Sequence, residues 1–155
     1  MNEIRVFSPA SIANLSCGYD ILGVCLDKVG DEIIVRKTKK RGVVITKISG
    51  QKLSKDIKLN VAGVSATALL NETEVNCGFE IEIHKGIKPG SGIGSSAASS
   101  AGSVFAINQL IGKPYSNKEL VKFAMEGEKA ASGSLHADNV LSLIHISEPT
   151  RLGFI

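Results

Sequence analysis

Ile87-Lys88-Pro89-Gly90-Ser91-Gly92-Ile93-Gly94-Ser95-Ser96-Ala97-Ala98 joins two segments of different period. Before it, Phe79, Ile81 and Ile83 alternate with Glu80, Glu82 and His84, which predicts a half-buried strand over Gly78 to His84. After it, Ser96 to Ile111 reads as a helix, with Ala97, Ala101, Val104, Phe105 and Asn108 near one face and Ile107 and Leu110 widening the apolar stripe. A strand, a glycine loop and a helix N-terminus together make an anion cradle. The glycines let backbone N–H groups crowd around a phosphate, and the unpaired amides of the first helical turn complete the nest. The Ser95 and Ser96 hydroxyls add donors, or reach a metal ion held by the phosphates. A plain capping loop of small residues is the blander reading, and a glycine cluster alone favours it. Gly-x-Gly-x-Gly-Ser-Ser between a strand and a helix favours phosphate. The run is not a Walker loop, because no Gly-Lys-Ser/Thr follows. A Rossmann loop opens the first strand–helix unit and has an acidic residue about twenty positions on; here Asn108 and Gln109 lie nearer that distance than any carboxylate.

Working outward, Ile4 to Phe7 reads as a short strand and Pro9 to Gly23 as a special loop. Glu32 to Lys37 and Gly42 to Ile48 read as two strands, with Lys37, Lys39, Lys40 and Arg41 as a solvated hairpin tip between them. Asn60 to Leu70 reads as a helix with Val61, Val64, Ala68 and Leu69 on its apolar face. Gly112-Lys113-Pro114 stops the helix that follows the glycine loop. Ser116-Asn117-Lys118-Glu119 is a capping box that opens another helix through about Ala131, broken by Ser132-Gly133-Ser134. Strands cluster early and helices late. That layout predicts an α+β fold, a mixed sheet packed against helices, rather than a doubly wound parallel sheet.

At 155 residues, with 43% apolar content, the chain is long enough for one domain with a real core. The net charge of +3 is scattered, and the one basic cluster has no aromatic residues interleaved, which argues against a nucleic-acid partner. The charged start Met1-Asn2-Glu3-Ile4-Arg5 does not read as a signal peptide, and no apolar run approaches a membrane span. Cys17, Cys25 and Cys77 lack Cys-x-x-Cys spacing, so they read as reduced, buried or half-buried thiols of a cytoplasmic protein rather than a zinc site. His84 and His145 read as structural.

Three separated segments concentrate polar residues among small ones: Pro9 to Gly23, which contains Asn14-Leu15 and Asp20; the glycine loop; and Glu126-Gly127-Glu128 with His136-Ala137-Asp138-Asn139. Together, over Arg5 to Val140, they resemble the amino-terminal half of the GHMP kinases. The phosphate loop is specific to that superfamily, and the Asn-Leu…Asp and His-Ala-Asp-Asn segments resemble its homoserine kinase family. Cys17, Tyr19 and Ile93 depart from that family's usual residues, and Tyr19 stands where a larger polar ring would narrow the substrate pocket. The resemblance implies an ATP-dependent phosphotransferase with Mg2+ and a small amino-acid substrate, homoserine, on the route to threonine. It implies neither nucleic acid nor membrane as partner, and for the intact enzyme a homodimer is the assembly to test.

By that resemblance, Lys88, Pro89, Gly90, Ser91, Gly92, Ile93, Gly94, Ser95, Ser96, Ala97 and Ala98 cradle the ATP phosphates, and Ser96, or Ser95, holds Mg2+ with Glu128. Glu128 alone would read as a solvated helix carboxylate, and Asn60 serves equally as nucleotide contact or ordinary N-cap. Asn14, Asp20, His136 and Asn139 are implied as homoserine contacts, with Asp20 and Asn139 nearest the chemistry. Asp20 suits the substrate ammonium or orients the attacking hydroxyl; Asp138 is available as a base, which the family does not demand.

After Val140 the character changes. Leu141-Ser142-Leu143-Ile144-His145-Ile146-Ser147-Glu148-Pro149-Thr150-Arg151 resembles a translated sequencing-adapter fragment. The expectation is therefore a nucleotide-binding domain over 1–140, an incomplete enzyme, followed by a non-native tail over 141–155. Three functions remain open on sequence: a kinase for homoserine, a kinase for another small alcohol, and a nucleotide- or anion-binding module without turnover.

Overall fold

The computed structural model describes residues 1–13, 23–132, 138–146 and 152–153. Its elements are β1 (Glu3–Ala13), β2 (Gly23–Thr38), β3 (Gly42–Ser49), α1 (Val61–Asn71), β4 (Gly78–His84), α2 (Ser95–Leu110), α3 (Asn117–Ser132), α4 (Asp138–Leu141), a π-helical turn (Ser142–Ile146) and β5 (Leu152–Gly153). The sheet order is β3-β4-β2-β1-β5. All neighbours are antiparallel except β3 and β4, which run parallel. The α+β fold expected from the sequence is the fold observed.

Register gathers most of the large apolar residues of the long strands on one face, with Ile34 and Phe7 as exceptions on the other. Ile33 stands between Val6 and Ile83, Val35 between Ile4 and Ile81, and Ile45 beside Ile81. These side chains are buried; α1 and α2 pack against that face, and α3 packs on α1 and α2. The other face carries charge: Arg5 pairs with Glu32, and Arg36 pairs with Glu3 and Glu82. Helix α2 is buried on nearly every side. Its alanines and Gly102 permit that depth; a Cβ on Gly102 would stand 2.6 Å from Ile33 Cδ1. Val140, Leu143 and Ile144 join the same core.

Two expectations are corrected. Pro9 to Gly23 is not all loop: β1 continues through Ala13, with a register shift between Pro9 and Ser11, and β2 begins at Gly23 instead of near Glu32. The polar residues Ser8 and Ser11 are buried in this strand, which hides its period. Nor do β2 and β3 form a hairpin, because β4 lies between them and α1 makes the crossover from β3 to β4. Lys39, Lys40 and Arg41 are exposed at the turn, yet Arg41 has a structural task. Its Nη2 donates to the carbonyls of Leu70 (2.9 Å) and Thr73 (3.0 Å), at the C-terminal end of α1.

The capping box is present. Ser116 N–H donates to Glu119 Oε2 (2.8 Å), and Glu119 N–H donates to Ser116 Oγ (3.4 Å). His84 shares a hydrogen bond with Ser49 and pairs with Glu82, a structural role on the sheet's charged face. Cys25 and Cys77 are half-buried. Cys17, Tyr19 and the side chain of His145 lie outside the described residues.

Candidate active site

The loop after β4 bends through three left-handed glycines: Gly90 (φ +74°), Gly92 (φ +77°) and Gly94 (φ +69°). L-residues with a Cβ pay a steric cost in this region, so glycine suits each position. Gly94 is the N-cap of α2 and provides no side-chain cap, so the first amides of the helix lack that partner. Nothing lies within 4 Å of where a Cβ would stand on Gly90 or Gly92. The bend is therefore open, not plugged by side chains.

It opens onto a cleft of about 590 Å³ lined by Pro89, Gly90, Ser91, Gly92, Gly94, Ser95 and Ser96, by Asn60, Leu53 and Leu59 from the α1 side, and by Asn139 from α4. Ser96 Oγ donates to Glu128 Oε2 at 3.0 Å, and Glu128 on α3 is only 7% exposed. The two residues the sequence singled out for a metal are thus brought together from 32 positions apart. Among the described residues no three His, Cys, Asp or Glu side chains cluster as a metal site. A hydroxyl and a carboxylate are the hard oxygen donors that Mg2+ accepts when phosphates and water complete its shell.

Asn60 is the N-cap of α1 and also lines the cleft. Its Oδ1 accepts from Ala62 N–H (3.0 Å), and its Nδ2 donates to the Ser54 carbonyl (2.8 Å). Lys88 is exposed and borders a neighbouring open groove with Lys52 and Gln51. Ile93 is half-buried, and its carbonyl is taken by Ser11 N–H (3.1 Å). Ala97 and Ala98 are fully buried, so their side chains serve packing. Asp138 Oδ1 accepts from Asn139 N–H (2.9 Å) in the short α4. Asn14, Asp20 and His136 lie outside the described residues.

Beneath the loop lies a buried network that sequence reasoning missed. Asp31 Oδ1 accepts from the N–H groups of Gly86 and Ile87, both at 3.1 Å, and Ser99 Oγ donates to Oδ2 at 2.9 Å. The Lys85 ammonium pairs with the same carboxylate and donates to the Ser95 carbonyl (2.9 Å) and Ser99 Oγ (3.0 Å). Burial pushes the Lys85 pKa down, and Asp31 works against that shift. Lys85, at the lip of the glycine loop, offered a signal through its position alone; Asp31, 54 residues away, offered none.

The fold is an α+β domain in which an open glycine loop joins a sheet strand to the N-terminus of a buried helix. Residues 60–145 match the family of GHMP kinases N terminal domains, and the chain belongs to that family. It is 44% identical over 147 residues to a homoserine kinase of Methanococcus maripaludis, covering 93% of this chain and 48% of that protein. The crystal structure of homoserine kinase from Cytophaga hutchinsonii superposes with a TM-score of 0.85 at 43% identity, over 99% of this chain and 51% of the other. A mevalonate kinase from Methanococcus jannaschii shares the fold, with a TM-score of 0.70 at 16% identity, over 91% of this chain and 50% of the other. The chain spans about half the length of the curated relatives it matches.

Proposed function

We propose that the protein carrying this chain is a homoserine kinase, which transfers the γ-phosphoryl group of ATP to the hydroxyl of L-homoserine and yields O-phospho-L-homoserine and ADP. The observation that carries the reading is the open glycine loop over the cleft, with Ser96 and Glu128 joined at 3.0 Å on its helix side. Similarity to homoserine kinases at 40–44% identity supports the choice of substrate.

Phosphoryl transfer asks a protein mainly for positioning and charge neutralisation. In this reading the amides of Gly90 to Ser96 and the N-terminal end of α2 hold the triphosphate. Ser96 and Glu128 hold Mg2+, which supplies charge neutralisation at the phosphates. Asn139 lines the same cleft and, in this reading, orients the attacking hydroxyl. An amide takes no proton, so the hydroxyl proton passes late to a phosphate oxygen. Asn14, Asp20 and His136 hold the amino acid, with the Asp20 carboxylate paired to its ammonium. The enzyme works in the cytoplasm, where thiols such as Cys25 and Cys77 stay reduced. Residues 1–140 are read as the nucleotide-binding domain and 141–155 as a non-native tail, with Leu143 and Ile144 packed into the core and the family match running to residue 145 counting against that boundary.

An ADP-release assay with homoserine, mevalonate, galactose and shikimate tests the substrate. Release with homoserine alone is expected. Release with another alcohol moves the protein elsewhere in the superfamily, and no homoserine-dependent release ends the proposal. The half-length match favours a second reading for the chain by itself, nucleotide binding without turnover. Titration with ATP followed by a turnover assay separates the two. For the metal, Glu128→Gln is expected to weaken MgATP binding about 10- to 100-fold while binding of ATP in EDTA is unchanged; equal losses in both would remove Glu128 from the metal site.

A further inference from the structure

Ser11 ends up fully buried near the close of β1, and it touches two parts of the cleft that are distant in sequence. Its N–H donates to the carbonyl of Ile93, inside the glycine loop, at 3.1 Å. Its hydroxyl donates to Oδ1 of Asn139, 128 residues away, at 3.0 Å. Gly94 is pressed against both side chains: a Cβ there would stand 2.4 Å from Ser11 Oγ and 3.2 Å from Asn139 Oδ1. One serine thus grips the glycine loop through its backbone and the Asn139 carboxamide through its side chain.

That second bond has a chemical consequence. A carboxamide can offer a cleft either an acceptor oxygen or a donor NH2. With Oδ1 taken by Ser11, the NH2 is the end available as a donor. A donor suits the lone pair of an attacking hydroxyl and the oxygens of a transferring phosphoryl group; an acceptor turned toward the same anion would repel it. The backbone bond adds coupling, because a shift of the loop at Ile93 pulls on the residue that orients Asn139.

We propose that Ser11 is a positioning residue for phosphoryl transfer, which fixes the carboxamide of Asn139 and links its orientation to occupancy of the glycine loop. The inference rests on the kinase reading of the cleft. Ser11 acts through Asn139 and does not itself touch the reacting atoms.

The test follows the side-chain NH2 resonance of Asn139 in the 15N-labelled chain, assigned by its loss in Asn139→Ala, during titration with MgATP. Ser11→Ala removes the hydroxyl and keeps the N–H bond to Ile93. It is expected to leave the MgATP Kd within about twofold of the parent, and to abolish the nucleotide-dependent shift of the Asn139 resonance that the parent shows. In protein that turns over homoserine, kcat should fall about 10- to 100-fold with KM for ATP unchanged, and Ser11→Ala should add nothing in an Asn139→Ala background. If alanine does not fold, Ser11→Cys replaces the hydroxyl with a larger, weak donor and should cut the nucleotide-dependent shift and kcat in the same direction. A nucleotide-dependent shift that survives in the Ser11 variant overturns the proposal, as does a loss of MgATP affinity equal to the loss of kcat. A parent chain that binds no MgATP overturns the kinase reading itself, and is told apart because the resting Asn139 resonance still responds to Ser11→Ala.

Discussion

Gly90, Gly92 and Gly94 share a left-handed backbone but not a setting. Around the first two the space is open, so an added methyl meets only the intrinsic penalty of the conformation. Gly90→Ala and Gly92→Ala should each lower the unfolding free energy by about 1–2 kcal/mol. Gly94→Ala adds a collision with the Ser11 hydroxyl and the Asn139 carboxamide, at 2.4 and 3.2 Å, and should cost clearly more. Urea titration of the three variants checks the ranking; equal losses would mean that the Ser11–Asn139 contact yields freely. The glycine loop was legible in the sequence because its chemistry is local, whereas Glu128 and Asn139 stood out only through the family resemblance, Glu128 alone reading as a solvated helix carboxylate. Ser11 was not legible: it sat unremarked in the Pro9–Gly23 segment, and its meaning depends on a strand that brings it to Asn139.

At the scale of elements, the loop is held from below by one carboxylate. Asp31 on β2 fixes the exit of β4 through Gly86 and Ile87, and through Lys85 and Ser99 it fixes the first turns of α2. Both charges are nearly inaccessible, with side chains 1% and 0% exposed for Lys85 and Asp31. Breaking such a pair leaves a buried ion uncompensated, so Asp31→Ala should cost about 3–5 kcal/mol, with part recovered in Asp31→Ala/Lys85→Met. Thermal unfolding of the two variants decides; a single variant as stable as the parent would show that Lys85 escapes to water or sheds its proton without penalty. Most helices and β4 were readable within a residue or so, because each carries its own period or cap. The order of the sheet was not. Strands β2 and β3 are neighbours in sequence with a turn between them, but their register is set by β4, which arrives only after α1. The Asp31–Lys85 bracket depends on that same long-range pairing, where Glu32 stands opposite His84.

Seen whole, the molecule uses its sheet asymmetrically, with one face in the core and the other held by ion pairs. Glu82 is the hub of that outer face: it meets Arg36 (3.1 Å), Lys47 (2.9 Å) and His84 (3.0 Å), and so ties β2, β3 and β4 together. Hydrogen bonds from Lys47 and then Arg36 outweigh its desolvation and pull its pKa from 4.5 down to about 2. A carboxylate that is more acidic when folded stabilises the fold above its unfolded pKa, and that stabilisation disappears as pH falls through the folded value. For Glu82 the window runs from about pH 5 down to about 2. The Glu82 side chain is 14% exposed, but Arg36 and Lys47 are 37% and 59% exposed, so solvent screening cuts the full linkage energy. About 1–2 kcal/mol is the expected contribution at neutral pH. Glu82→Gln should therefore unfold at lower urea than the parent at pH 7, and the two should converge as the pH approaches 2. Parallel pH profiles for parent and variant would mean that the outer face is merely solvated, and that the core alone sets the strand order on which the glycine loop depends.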